Sequence, residues 1–114
     1  MISTASSPSI SSKDFIKLYT EGSQQLVVLD VRTPEELQIR HLPDTKSTKV
    51  TSINTDDFFN NKAEVSIKQV KDLGSQTIYC LCRSGNRSGR VTQLLLDNDI
   101  KTVNIEGGIS AIQI

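Results

Sequence analysis

A chain of 114 residues has room for one compact domain with one core. Thirteen Lys and Arg balance thirteen Asp and Glu, which excludes a global field that would steer the protein toward nucleic acid or an anionic membrane, so any strong potential must be local. Two cysteines are too few and too close for a disulfide framework, and with no Trp present the core must be built from Ile, Leu and Val around Phe15, Phe58 and Phe59.

Residues 1–9 are small and polar and read as a flexible tail, with the domain over 10–114. Residues 1–8 have neither a basic n-region nor an apolar h-region, and no stretch approaches the ~20 apolar residues of a membrane span. The cytoplasm is therefore the expected compartment, and its reducing conditions suit a free thiol. Ser12 is an N-cap candidate for an amphipathic helix with apolar residues at 15, 16, 18 and 19, which Gly22 ends. Residues 25–31 are a continuous apolar run, expected of a strand buried on both faces of a parallel sheet. Pro34 suits the first turn of a short helix, with Glu35 and Glu36 near its positive end. Residues 45–50 are β-branched but too polar for a central strand, and their lysines suit a sheet edge. Thr55 is expected to cap a helix over 56–61, and a second helical piece runs from about Glu64 to Gly74 with its charges on a solvated face.

A short apolar strand over 77–81 is followed by a helix-patterned segment from Gly89, in which Val91, Leu94 and Leu95 form a core-facing stripe until Asp97-Asn98-Asp99 stops it. Residues 101–105 read as the last strand, and Gly107-Gly108 open a short turn or helix through Ile112. Strands alternating with helical patterns argue for an α/β domain whose mainly parallel sheet has about five strands, with helices on both faces and right-handed crossovers.

Between the strand at 77–81 and the next helix lies Cys82-Arg83-Ser84-Gly85-Asn86-Arg87-Ser88. A thiol there faces a helix N-terminus, where unpaired N–H groups and the positive end of the dipole, roughly +0.5 elementary charge, favour an anion. A thiolate is such an anion. Arg83 and Arg87 add positive charge, Gly85 permits a φ > 0 turn that lets successive N–H groups converge, and Ser84 and Ser88 supply short donors. Thiols so placed titrate at roughly 3.5–7.5 rather than near 8.5, so Cys82 needs no general base. Arg83 is expected to help bind an anionic substrate, whereas Arg87 either does the same or braces the loop by pairing with a carboxylate. Asp30 and Arg32 are expected to form a structural ion pair, and His41 reads as a satisfied structural histidine. Cys80 shares a strand face with Cys82, but bridging such near neighbours would strain the ring, so it reads as core rather than as a resolving thiol. No His/Cys cluster has metal spacing.

This loop resembles the active-site loop of the rhodanese family, whose members carry a Cys-Arg-Ser-Gly-x-Arg-Ser type sequence after a central strand. Leu29-Asp30-Val31-Arg32-Thr33-Pro34-Glu35-Glu36 is similar to the family's Asp-Val-Arg-x-x-x-Glu signature, Arg40-His41-Leu42-Pro43 to its Gly-His-Ile-Pro element, and Glu106-Gly107-Gly108-Ile109 to its closing Glu-Gly-Gly-Trp. The likeness runs from about Ser11 to Ile112, in the family's order. Arg40 and Asp44 stand where the family usually has glycines, and Ile109 where it usually has Trp.

The resemblance implies a single rhodanese-like domain and a cofactor-free sulfurtransferase. Cys82 would take a sulfane sulfur from a small anionic donor, thiosulfate or a persulfide, and pass it from a Cys82 persulfide to cyanide or a thiol, a protein acceptor included. The rival readings are a Cys-dependent phosphatase of the related fold, whose loop has five residues between Cys and Arg where this chain has four, and a non-catalytic module that keeps the fold for partner binding.

Overall fold

A computed structural model describes residues 8–74 and 76–112. Leu26–Asp30, apolar up to its closing Asp30, is a strand with every residue buried. It lies inside a five-stranded sheet, next to both Thr48–Ser52 and Ile78–Leu81. In chain order the elements are β1 (Ser9–Ser11), α1 (Ser12–Glu21), β2 (Leu26–Asp30), α2 (Pro34–Ile39), β3 (Thr48–Ser52), α3 (Ala63–Lys71), β4 (Ile78–Leu81), α4 (Asn86–Asp97) and β5 (Thr102–Glu106). Short 3-10 turns occupy Thr55–Phe58 and Ile109–Ala111. The sheet order is β1-β5-β4-β2-β3, and every pairing is parallel.

Side chains alternate across the sheet, so each face builds its own core. Leu29, Val31, Cys80 and Cys82 pack on one face with Val70 of α3 and Val91 and Leu95 of α4. Val28, Leu81 and Ile105 pack on the other with Phe15 of α1 and Ile109. Helices thus cover both faces, as the alternating sequence pattern predicts.

The chain leaves β2 toward β3 on one side and β4 toward β5 on the other. The winding therefore reverses between β2 and β4, where parallel sheets open a crevice beyond the carboxyl ends of their strands. Asp30 is in register with Leu81 and with Ser52, so these strands end level and Cys82 is the first residue past the reversal point.

Several local expectations are corrected. The expected tail reached Ser9, but Ser9 pairs with Asn104 at the sheet edge, and its hydroxyl bonds Glu106 Oε1 at 2.8 Å; residues 1–7 of that tail lie outside the described residues. The N-cap of α1 is Ser11, whose side chain accepts from the Asp14 N–H, because the Ser12 hydroxyl is drawn to the carbonyls of Glu106 and Gly108. The helix expected over 56–61 is a 3-10 turn capped by Asn54, because the Thr55 hydroxyl is buried and donates to Val31 O at 2.7 Å instead of capping. The edge strand runs on to Ser52, and α4 begins at Asn86 rather than Gly89. Among the described residues no helix is long and apolar enough to cross a membrane.

Candidate active site

Cys82 leaves β4 and is fully buried. The backbone then turns through Gly85, whose φ of 101° is open to glycine and costly for other residues, directly into α4. That turn returns the Gly85 N–H to within 2.9 Å of Cys82 Sγ. The Ser88 hydroxyl, in the first turn of α4, lies 3.2 Å from the same sulfur. Burial pushes the thiol up, but donation from the Ser88 hydroxyl and from the amides of Ser88, Gly85 and Ser84 outweighs it, and the thiol is held below its ordinary value. Cys80, two residues earlier and without that cup, is pushed far up by burial. It sits in the core, as expected.

A second layer fixes the cup. Asn104 of β5 donates from Nδ2 to Gly85 O at 3.2 Å, and its Oδ1 stands against the Ser88 hydroxyl, where it competes with the Cys82 sulfur for that hydroxyl's one proton. Sequence reasoning missed this residue; its signal was an amide set between Val103 and Ile105 in the last strand. From behind, Ile109 N donates to Cys82 O at 2.9 Å and Ser110 N to Arg83 O at 3.0 Å. A Cβ on Gly108 would stand 2.4 Å from Cys82 O, so only glycine lets the two segments meet.

Arg87, for which the sequence allows either a substrate ligand or a brace, pairs with a carboxylate. Its two Nη atoms donate to Glu36 Oε1 and Oε2, each at 2.8 Å. Glu36 also accepts from the Thr33 N–H at 3.1 Å, closing the capping box of α2. The Arg87 bonds, backed by that amide, hold the Glu36 carboxyl at about 2. One carboxylate thereby ties α2 to the Cys82 loop.

Asp30 and Arg32 form a buried ion pair, with Arg32 Nε 2.9 Å from Oδ1 and Nη2 2.8 Å from Oδ2. It sets the turn from β2 into α2. The other predicted residues are less engaged. Arg83, Ser84 and Asn86 are exposed, and among the described residues the Arg83 guanidinium has no hydrogen bond or ion pair. His41 is exposed, and its Nδ1 lies 3.3 Å from Leu37 O, at the end of α2 rather than at the thiol. The departures from the resembled motifs have local uses. Arg40 Nη1 donates to Ile109 O at 3.1 Å and Nη2 to Ile112 O. Asp44 Oδ1 accepts from the Val50 N–H at 3.0 Å, and Ile109 is buried in the core. Among the described residues no group of three or more His, Cys, Asp or Glu is placed to hold a metal ion. The arrangement offers an activated sulfur nucleophile in a cup of donors suited to a second negative sulfur.

The family model for the rhodanese-like domain matches residues 11–114. The chain is 29% identical over 97 residues, covering 84% of it and 82% of the relative, to the Bacillus subtilis (strain 168) protein named "Putative sulfurtransferase YtwF". A Staphylococcus aureus rhodanese-like domain protein superposes with a TM-score of 0.73 at 27% identity, over 91% of this chain and 89% of that one. A Rhodopseudomonas palustris protein of unknown function, described as a "Possible Tyrosine Phosphatase", reaches a TM-score of 0.71 over 94% of this chain and 80% of its own, at 20% identity, a likeness of fold alone.

Proposed function

Because the chain belongs to the rhodanese-like domain family, we propose that it is a sulfurtransferase in which Cys82 carries the sulfur. The Cys82 thiolate attacks the sulfane sulfur of thiosulfate, the donor's S–S bond breaks, sulfite leaves with the electron pair, and a Cys82 persulfide remains. Cyanide or a thiol, on a small molecule or a protein, then takes the outer sulfur and returns the thiolate. The observation that carries this reading is the sulfur at the N-terminus of α4, with Gly85 N at 2.9 Å and Ser88 Oγ at 3.2 Å. These donors stabilise both thiolate and persulfide without rearrangement.

Arg83, charged and in no ion pair among the described residues, is the donor-binding residue of this reading, and Ser84, Gly85 and Asn86 supply the turn that shapes the cup. Arg87 acts through Glu36 as a brace; Asp30, Arg32 and His41 are structural. The cytoplasm is the compartment proposed, on the free thiols. A phosphatase reading is weaker because the loop has four residues between Cys82 and Arg87 where the phosphatases of the related fold have five, and two of the Arg87 N–H donors are turned to Glu36.

Mass spectrometry of the intact protein after thiosulfate treatment should show one added sulfur atom, mapped to Cys82. Cys82→Ser should abolish the adduct and transfer to cyanide, while Cys80→Ser should keep most activity. An adduct on Cys80, or none at all, would overturn the mechanism.

A further inference from the structure

Beside the Cys82 loop lies a hollow of about 320 Å³ between the end of α2 and the segment after β5. Arg83 and Arg40 stand in its walls, Ile39 and Ile109 give it apolar surface, and Arg32 and Glu36 also border it. Two of these charges are already matched, since Arg32 pairs with Asp30 and Glu36 with Arg87. Arg83 and Arg40 are in no ion pair among the described residues. The Arg40 guanidinium is fixed by the carbonyls of Ile109 and Ile112, which hold its charge in place without neutralising it. Ile39 at the rim is 86% exposed. At the ~30 Å³ share of a water molecule the hollow holds about ten heavy atoms, so thiosulfate would leave roughly half of it empty.

We infer that this hollow is the subsite for the organic part of a low-molecular-weight persulfide donor whose short aliphatic chain ends in a carboxylate. The inference rests on the sulfurtransferase reading and names the donor class for that same site. The carboxylate meets Arg40, the methylenes lie on Ile39 and Ile109, and Arg83, next in sequence to Cys82, faces the departing thiolate. In the transfer the Cys82 thiolate attacks the outer sulfur of R–S–SH, a Cys82 Sγ–S bond forms, and the donor S–S bond breaks. The organic thiolate leaves with the electron pair, its sulfur reduced as that of Cys82 is oxidised, and it takes a proton from water.

The test compares the persulfide of 3-mercaptopropionate with that of its methyl ester as donors, following kcat/KM for formation of the Cys82 persulfide. The wild type should favour the acid by about tenfold, the scale of one charge-assisted contact. Arg40→Gln should bring the ratio of acid to ester to about one. Ile39→Glu, at an exposed position that no core packing needs, should turn the preference toward the ester by repulsion at the rim. Equal wild-type rates for acid and ester would overturn the subsite, and so would a preference that survives both substitutions. Absence of a Cys82 persulfide with every donor, thiosulfate and the ester included, would instead overturn the sulfurtransferase reading itself.

Discussion

Cys82 and Cys80 are two residues apart and pack in the same core cluster, yet burial dominates one and hydrogen-bond donors the other. Alkylation by a neutral reagent should therefore reach half its maximal rate at a pH below the free-thiol value for Cys82, and native Cys80 should stay unmodified. Ser88→Ala removes a hydroxyl donor that favours the thiolate and should move the Cys82 midpoint upward. A midpoint unchanged by that substitution would mean that the backbone amides alone hold the thiolate. Arg83→Ala should slow reaction with thiosulfate several-fold more than it slows neutral alkylation, because the lost charge acts on the dianion; equal losses would assign Arg83 to loop shape. Cys82 and Gly85 were legible in sequence because a local rule, glycine turn into helix N-terminus, specifies both. Which serine turns inward was not. Ser88 reaches the sulfur because α4 begins at Asn86, while Ser84 contributes its amide and leaves its side chain exposed.

The Glu36–Arg87 pair couples two elements, since the carboxylate that completes the capping box of α2 also anchors the first turn of α4. Its pKa is lowered from 4.5 to about 2 on folding, so between those values the unfolded chain binds more protons than the native one. Stability from this pair is complete above about pH 4.5 and is lost as pH falls toward 2. Glu36→Gln should cost roughly 1–2 kcal/mol at neutral pH, a reduced figure because about a quarter of the Glu36 side chain and a third of that of Arg87 remain in solvent. In denaturant melts the gap between wild type and variant should close on acidification through that window; a gap constant down to pH 2 would mean that shape and not charge is at stake. The start of α2 was legible from Pro34 and the acidic first turn. The partner of Arg87 was not, because a pair spanning 51 residues leaves no local periodicity. The turn at Thr55–Phe58 escaped for a related reason: the hydroxyl that looked like a cap is spent on a carbonyl in β2's extension.

Across the whole molecule the Cys82 loop depends on contacts between chain segments nearly as far apart as the sequence allows. The α/β class was legible because a strand buried on both faces, such as β2, shows an unbroken apolar stretch, here Leu26 to Leu29, whereas β1 is a polar Ser-Ile-Ser segment that becomes a strand only because β5 is present to pair with it. At that junction the Ser12 hydroxyl donates to the carbonyls of Glu106 and Gly108, and Gly108 lies directly behind Cys82 and Arg83. The two ends of the described chain therefore close on the back of the cup that a central strand presents at the front. Gly108 is the tightest point, since an added Cβ would meet Cys82 O at 2.4 Å and Arg83 C at 2.5 Å, backbone atoms that no rotamer change can move aside. Gly108→Ala should therefore cost roughly 3 kcal/mol or more, by overlap together with strain at a φ of 57°, and it should lower the alkylation rate of Cys82 by displacing the loop's backbone. Gly74→Ala supplies the contrast, because Gly74 also has positive φ but a Cβ there meets nothing within 4 Å. It should cost about 1 kcal/mol of strain and leave the alkylation rate of Cys82 unchanged. Denaturant melts and alkylation rates on both variants separate backbone strain, which the two share, from the closure on the cup, which belongs to Gly108. If the two glycines behave alike in both measurements, the cup is held by its own turn and by Asn104, and the long-range closure has no part in its reactivity.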